Sequence, residues 1–437
     1  MKQHLFIQIF FVALLASCKN DLKKITRRPD YENYMQQSPK DTMISLTKLN
    51  KDIVFWNSRL DKNLGDAVAK VSLGNLYSRR FKFSGDIDDI HLSDSFLLDA
   101  NRLFKNSTSS IYKSLAANCV TQHKFQSAKK YLDTALAMGD DRHLTQLMQC
   151  DVAIELGDLS LAEESLRQLA DKNGFDYLIR EAKLLDHRGD LEKAIVTMEA
   201  ATLKAEISKK DMLFLWAKSN LGDMYGHANR FEDAYKCYLD VLEKDPEYIY
   251  ALKGIAWLAF SHDKNIPEAR RILNYLSDLH RIPDYDLLLS EIAAYENDHK
   301  KENQLIDQYL AGVSDKRYGE MYNKYIFYLL VEQKDKIDDA IELAKREVEN
   351  RPTPQSYDLL SWAYLNKGDH EQALKIAKGF VENRNHEPEA LYHLGMIYAK
   401  EGNIKKAKYF LEQASNSSFE LGPNLAQKVM MALEKLS

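Results

Sequence analysis

The chain has 437 residues and a formal charge of −5, from 60 Lys and Arg against 65 Asp and Glu. Mild acidity with both signs interspersed gives a soluble surface and argues against a nucleic-acid partner, which demands a concentrated basic face. The length would serve two or three ordinary domains, and only internal repetition reduces that to one continuous core.

From the N-terminus, Met1-Lys2-Gln3-His4 is a short basic start, and Leu5 to Leu15 is an apolar run broken only by Gln8. A run this short cannot cross a bilayer core of ~30 Å as a helix, so residues 1–17 read as a signal peptide. It ends in Leu15-Ala16-Ser17-Cys18, which resembles the lipobox of bacterial lipoproteins. The resemblance implies cleavage before Cys18 and a lipid on its sulfur, and two or more acyl chains hold a protein stably where one does not. Ser17-Cys18-Lys19-Asn20-Asp21 is similar to the start of Bacteroidota lipoproteins, and Asp41-Thr42-Met43 resembles a glycosylation site of that phylum. Together they imply an outer-membrane lipoprotein of the cell envelope, periplasmic or surface-exposed. Residues 18–50 read as a lipidated tether and linker. The stretch from Lys19 to Tyr31 has no hydrophobic period, and its charge comes from Lys19, Lys23, Lys24, Arg27 and Arg28.

Residues 51–437 carry a ladder of small residues: Ser93, Ala128, Ala162, Ala194, Ala234, Ala269, Asn303, Ala340, Ala373 and Ala407. The steps are 35, 34, 32, 40, 35, 34, 37, 33 and 34 residues, which means one helix–turn–helix unit repeated. Each alanine marks where the two helices of a unit touch, since a larger side chain would hold them apart. Gly157-Asp158, Gly189-Asp190, Gly368-Asp369 and Gly402-Asn403 fall between the helices of their units, Gly ending the first and Asp or Asn capping the second. Asp245-Pro246, Pro352, Pro354 and Glu387-Pro388 fall where one unit hands over to the next. Extra residues near Ala205 to Asp211 predict one lengthened second helix, and residues 421–437 read as an amphipathic helix capping the last unit.

The clearest units are Leu221-Gly222-x-x-Tyr225 with Ala234 and Tyr238, and Leu394-Gly395-x-x-Tyr398 with Ala407 and Leu411. These resemble the tetratricopeptide repeat. The resemblance implies an all-α, right-handed solenoid of about ten hairpins, which binds protein partners on a concave wall and needs no cofactor. By that resemblance, fixed first-helix positions build the wall. They select Trp216, Asp223, His227, Tyr250, Lys253, Trp257, Phe260, Tyr285, Tyr295, Lys324, Tyr328, Asp358, Trp362 and Tyr392 as the partner-binding groove. Three of the chain's four tryptophans are in that set, more aromatic surface than a plain polar wall requires. The opposing reading packs the same rings across a tightly wound superhelix or into bulges caused by the irregular repeats.

Cys119, Cys150 and Cys237 fall on core positions of the repeats, where a thiol is an ordinary apolar filler. Their odd number leans against a bridge between Cys119 and Cys150, and no zinc spacing exists. Asp151, Asp186, His187, Asp223 and His227 face inward and read as a polar wall rather than a metal site. No nucleophile elbow, zincin motif or phosphate loop is present; His386-Glu387-Pro388-Glu389 lacks the second histidine, so an enzyme is not expected. The expectation is a lipid-anchored envelope scaffold that holds a protein in its aromatic-lined groove. The alternative is a glycan- or nutrient-binding outer-membrane lipoprotein.

Overall fold

A computed structural model describes residues 24–36, 44–139, 141–280 and 282–436. The signal peptide, Cys18 and Asp41-Thr42-Met43 lie outside the described residues. In chain order, a short helix α1 (Arg28–Tyr31) and a helix α2 (Ile44–Lys62) precede ten hairpins. The first five are α3/α4 (Ala67–Ser84, Ile87–Leu103), α5/α6 (Ser109–Thr121, Phe125–Met138), α7/α8 (Arg142–Glu155, Leu159–Arg167), α9/α10 (Phe175–His187, Leu191–Ile207) and α11/α12 (Asp211–His227, Phe231–Lys244). The second five are α13/α14 (Ile249–Trp257, Ile266–Leu279), α15/α16 (Asp284–Tyr295, His299–Gly312), α17/α18 (Asn323–Val331, Ile337–Asn350), α19/α20 (Pro354–Lys367, His370–Ile376) and α21/α22 (Pro388–Glu401, Ile404–Ser415). A last helix α23 (Ser418–Leu436) follows, and no strand occurs among the described residues. The architecture is the expected all-α solenoid.

The ladder holds at nine of its ten rungs. Ser93 and the eight alanines are fully buried between the helices of their hairpins. Asn303 is the exception: it is exposed, and Leu305 and Tyr309 fill the α15/α16 contact instead. Close approach explains the glycines beside the leucines. A Cβ on Gly395 would stand 2.6 Å from Leu411 Cγ, and one on Gly74 would stand 2.6 Å from Leu97 Cγ. The turns also form as expected, with Gly157, Gly189, Gly368 and Gly402 at positive φ. Asp158, Asp190, Asp369 and Asn403 accept the backbone N–H three residues on. Pro354 and Pro388 open α19 and α21. The lengthened second helix is α10, at 17 residues against 14 for α12 and α14.

The array winds so tightly that successive superhelical turns touch. The turn between the helices of one hairpin rests on a connection between hairpins 187 to 227 residues later. Asn350 Nδ2 donates to His123 O at 2.9 Å, Asn229 Nδ2 donates to Asn416 O at 3.0 Å, and Arg317 pairs with Asp88. His386 covers Gly189, and Thr353 lies against Gly157. The repeat of such contacts at the turns of the first five hairpins makes a continuous seam.

The turn before α14 meets the N-terminal segment at this seam. Asp263 accepts the backbone N–H of Ile25 at 2.8 Å and of Thr26 at 2.9 Å, and the Thr26 hydroxyl at 2.6 Å. Tyr31 is fully buried and donates to Glu268 at 2.8 Å, and Arg271 reaches Glu32 at 3.2 Å. Residues 24–36, expected to belong to a free linker, are therefore a strap docked on α12 and α14. Isolated anchors hold it, backbone amides on one carboxylate and one buried ring, and such anchors leave no periodic trace in a sequence.

Packing at the glycines and docking of the strap can each be measured. Gly395→Val lowers thermal stability by about 1–3 kcal/mol through overpacking against Leu411. Gly379→Ala, with open space around its Cβ, stays within about 0.5 kcal/mol of the parent. Asp263→Ala frees the strap, so tryptic cleavage after Arg27 accelerates at least about tenfold. An unchanged cleavage rate contradicts the docking.

Candidate interaction surface

The first helices of the hairpins line the inner wall, and only a portion of the predicted groove is open. Trp216 on α11 and Tyr250 on α13 are 41% and 43% exposed. The Asp223 carboxylate accepts from Tyr250 at 2.7 Å and from the buried Tyr238 at 2.7 Å. Burial raises the Asp223 carboxyl above the usual range, and the two phenol hydrogen bonds partly offset the rise. Lys253 lies 6.0 Å from the centre of the Tyr250 ring. Lys324 on α17 pairs with Glu389 at 3.2 Å and lies 5.9 Å from the Tyr328 ring centre. Tyr325, absent from the predicted set, is 44% exposed and within electrostatic reach of Tyr250, Glu291 and Glu389. A template of fixed positions misses it because helical turns at Lys316–Tyr318 and a short α17 shift the local register. The run of aromatics from Tyr322 to Tyr328 was the available signal.

The rest of the predicted groove is occupied by the protein itself. Trp257 Nε1 donates to Phe419 O at 3.2 Å, and Ser261 Oγ donates to the same oxygen at 2.6 Å. The Phe419 ring packs against Phe231 and Trp257, and a Cβ on Gly226 would stand 2.5 Å from it. The chain then bends at Gly422, which has φ 71° and lies under Trp257, and Asn424 Nδ2 donates to Glu291 O at 2.8 Å. Beyond the elbow, Val429 is buried among Tyr392, Leu411 and Ala414, so α23 caps the last hairpin as expected and also plugs the inner wall. His227 faces Glu420 at 3.9 Å.

Phe260, Tyr285 and Tyr392 are buried, which corrects their reading as groove faces. Phe260 packs edge-on to Trp257 and Tyr295, and Tyr285 packs edge-on to His280. Trp362 stacks on His393 at 4.1 Å, and His393 Nδ1 lies 2.8 Å from Asp358 inside the core. These rings pack within and between neighbouring hairpins. The three cysteines are buried free thiols, and burial pushes Cys119 and Cys150 up to about 11 and Cys237 up to about 12. Asp151 holds Arg180 at 2.7 Å.

Residues 354–383 and 388–419, the hairpins α19/α20 and α21/α22, match the family model of the tetratricopeptide repeat. The last two hairpins are similar to the tetratricopeptide repeat. No curated protein matches the chain. Among solved structures, a tetratricopeptide repeat protein from Parabacteroides merdae is 15% identical over 61% of this chain and 99% of its own, at a TM-score of 0.35. YrrB, described as a tetratricopeptide protein with an unusual peptide-binding site, is 20% identical over 45% of this chain and 95% of its own, at 0.27. Yeast Tom70 is 13% identical over 94% of this chain and 97% of its own, at 0.33. Neither the matched repeat nor these structures indicate a catalytic activity.

Where the elbow meets the connection into the last tetratricopeptide hairpin, carboxyls crowd together. Burial pushes Glu420 up to about 7; the nearby His227 opposes this, while Glu387 and Asp186 add to it. Burial also pushes Glu291, beneath Asn424, up to about 7. A carboxyl raised in the folded state favours folding most below its unfolded value, and that stabilisation is lost as pH rises through about 7. Glu420→Gln therefore removes some of the loss of melting temperature between pH 6 and pH 8. An identical pH slope in variant and parent contradicts the assignment.

Proposed function

We propose that this chain is a lipid-anchored scaffold of the bacterial cell envelope, holding a protein partner on the open strip of its inner wall. The observation that carries the reading is the strip itself. Trp216, Tyr250 and Tyr325 present half-exposed rings from α11, α13 and α17, interleaved with Lys253, Lys324 and the Asp223 carboxylate. Aromatic faces supply contact area at low entropic cost, and the charges around them select orientation and partner. The fixed donors and acceptors on successive first helices suit an extended peptide or a helix laid along the wall.

The lipobox resemblance at Cys18 supports the anchor. Among the described residues no helix is long and apolar enough to cross a membrane, so a lipid is the means of attachment this reading uses.

The test is affinity capture of the crosslinked native protein from its own envelope beside Trp216→Ala/Tyr250→Ala. Both rings are partly exposed, but Tyr250→Ala also removes a donor from Asp223, so the variant's melting temperature is measured alongside to verify that it folds. The expected result is selective loss, at least about tenfold, of one or two captured proteins. Identical capture from both contradicts the strip, and a change in tryptophan fluorescence on adding oligosaccharides moves the assignment to a glycan ligand.

A further inference from the structure

The outer face carries a feature that the inner strip does not use. On α10, Val196, Leu203 and Ile207 are 63%, 54% and 71% exposed, and Met212 just beyond the helix is 66% exposed. Positions 196, 200, 203 and 207 follow one helical face, with Ala200 completing the line. The next two second helices, α12 and α14, expose no large apolar side chain at all. The extra residues that lengthen α10 supply Ile207 and so extend the stripe by a further turn. Lys204, Lys209 and Lys210 surround its C-terminal end, exposed and without an ion-pair partner among the described residues. Glu192 and Glu206 flank it more sparsely, and Asp211 is neutralised by Lys244 at 2.8 Å.

The strap says what this stripe faces. It enters the outer face at Asp263 and Tyr235, with Arg27 N donating to the Tyr235 hydroxyl at 3.1 Å, and continues along α14 to Tyr275. Tyr235 belongs to α12, the second helix next to α10. Seven residue steps separate Cys18 from Ile25, a reach of at most roughly 25 Å even when fully extended. Ile25 enters at Asp263, two second helices from α10, and at ~10 Å between neighbouring helices the near end of α10 lies about 20 Å away, inside that radius. A lipid on Cys18 thus keeps headgroups within reach of this side of the array.

We propose that the outer face of α10 lies against an anionic lipid surface, its stripe entering the interface and Lys204, Lys209 and Lys210 meeting the headgroups. This rests on the lipid anchor proposed above. An exposed apolar line edged by lysines is the composition of a helix that lies in a membrane interface, and a second weak contact converts a swinging tether into a fixed orientation. The inner strip then opens away from the bilayer, toward a partner.

The mature chain with Cys18→Ser, which cannot carry the lipid, isolates the contact. It is sedimented with vesicles of phosphatidylcholine and phosphatidylglycerol, and with phosphatidylcholine alone, beside Leu203→Glu/Ile207→Glu. Both positions are more than half exposed, so the double variant folds, and its melting temperature verifies this. The expected result is binding to the anionic vesicles that falls at least about fivefold in the double variant and weakens with salt. Absence of binding, or equal binding by both proteins, overturns the proposal. So does concentration-dependent self-association that the double variant abolishes, which assigns the stripe to a second copy. Labelled fatty acid on the native protein in cells, lost in Cys18→Ser, separately tests the anchor. No label sinks the anchor, while vesicle binding through the stripe still stands.

Discussion

The contact between superhelical turns governs this molecule. A helical hairpin repeated ten times can form an open spiral, and hairpin-to-hairpin packing alone does not close it. Here the inter-helix turns of the first five hairpins present small or polar surfaces to connections roughly six hairpins later. Gly157 lies against Thr353, Gly189 beneath His386, and the backbone of His123 receives Asn350. Inside the array, rings on neighbouring first helices pack together, Phe260 on Tyr295 and Trp362 on Tyr392 and His393. The inner wall is thus partly core, and what stays open is decided by this packing and by the Phe419–Asn424 elbow.

Both chain ends are used at this seam. The Phe419–Asn424 elbow enters beside Gly226 and Trp257, where the seam would otherwise end in an exposed apolar recess. The strap from Ile25 to Tyr34 covers the seam in the same way at the following hairpin, where it meets Asp263. An array whose turns touch has edges to cover, as any solenoid does, and this one covers them with its own termini. The inner strip faces one way and the strapped outer face another, an arrangement suited to a scaffold that must present its partner at a set orientation.

The hairpins were legible because their signals are local. A buried alanine, a left-handed glycine and a capping carboxylate act within one or two turns of helix, and Ala162, Gly157 and Asp158 obey that logic together. Asn303 was misplaced where no small residue marks the contact, and Leu305 with Tyr309 took over by bulk. The groove was legible only by half. First-helix position says which way Phe260 or Tyr392 points, but the side chains that meet them come from the adjacent hairpin or from α23. The strap was invisible, since Ile25 and Tyr31 are single anchors whose partners lie more than two hundred residues away.

The measurement that tests the winding most directly is a pulsed spin-label distance between residues 126 and 350. Gln126 Nε2 donates to Asn350 O at 3.2 Å across the seam. Touching turns predict one short and narrow distance distribution that persists in dilute solution. A long or broad distribution would mean an open spiral and contradict the account.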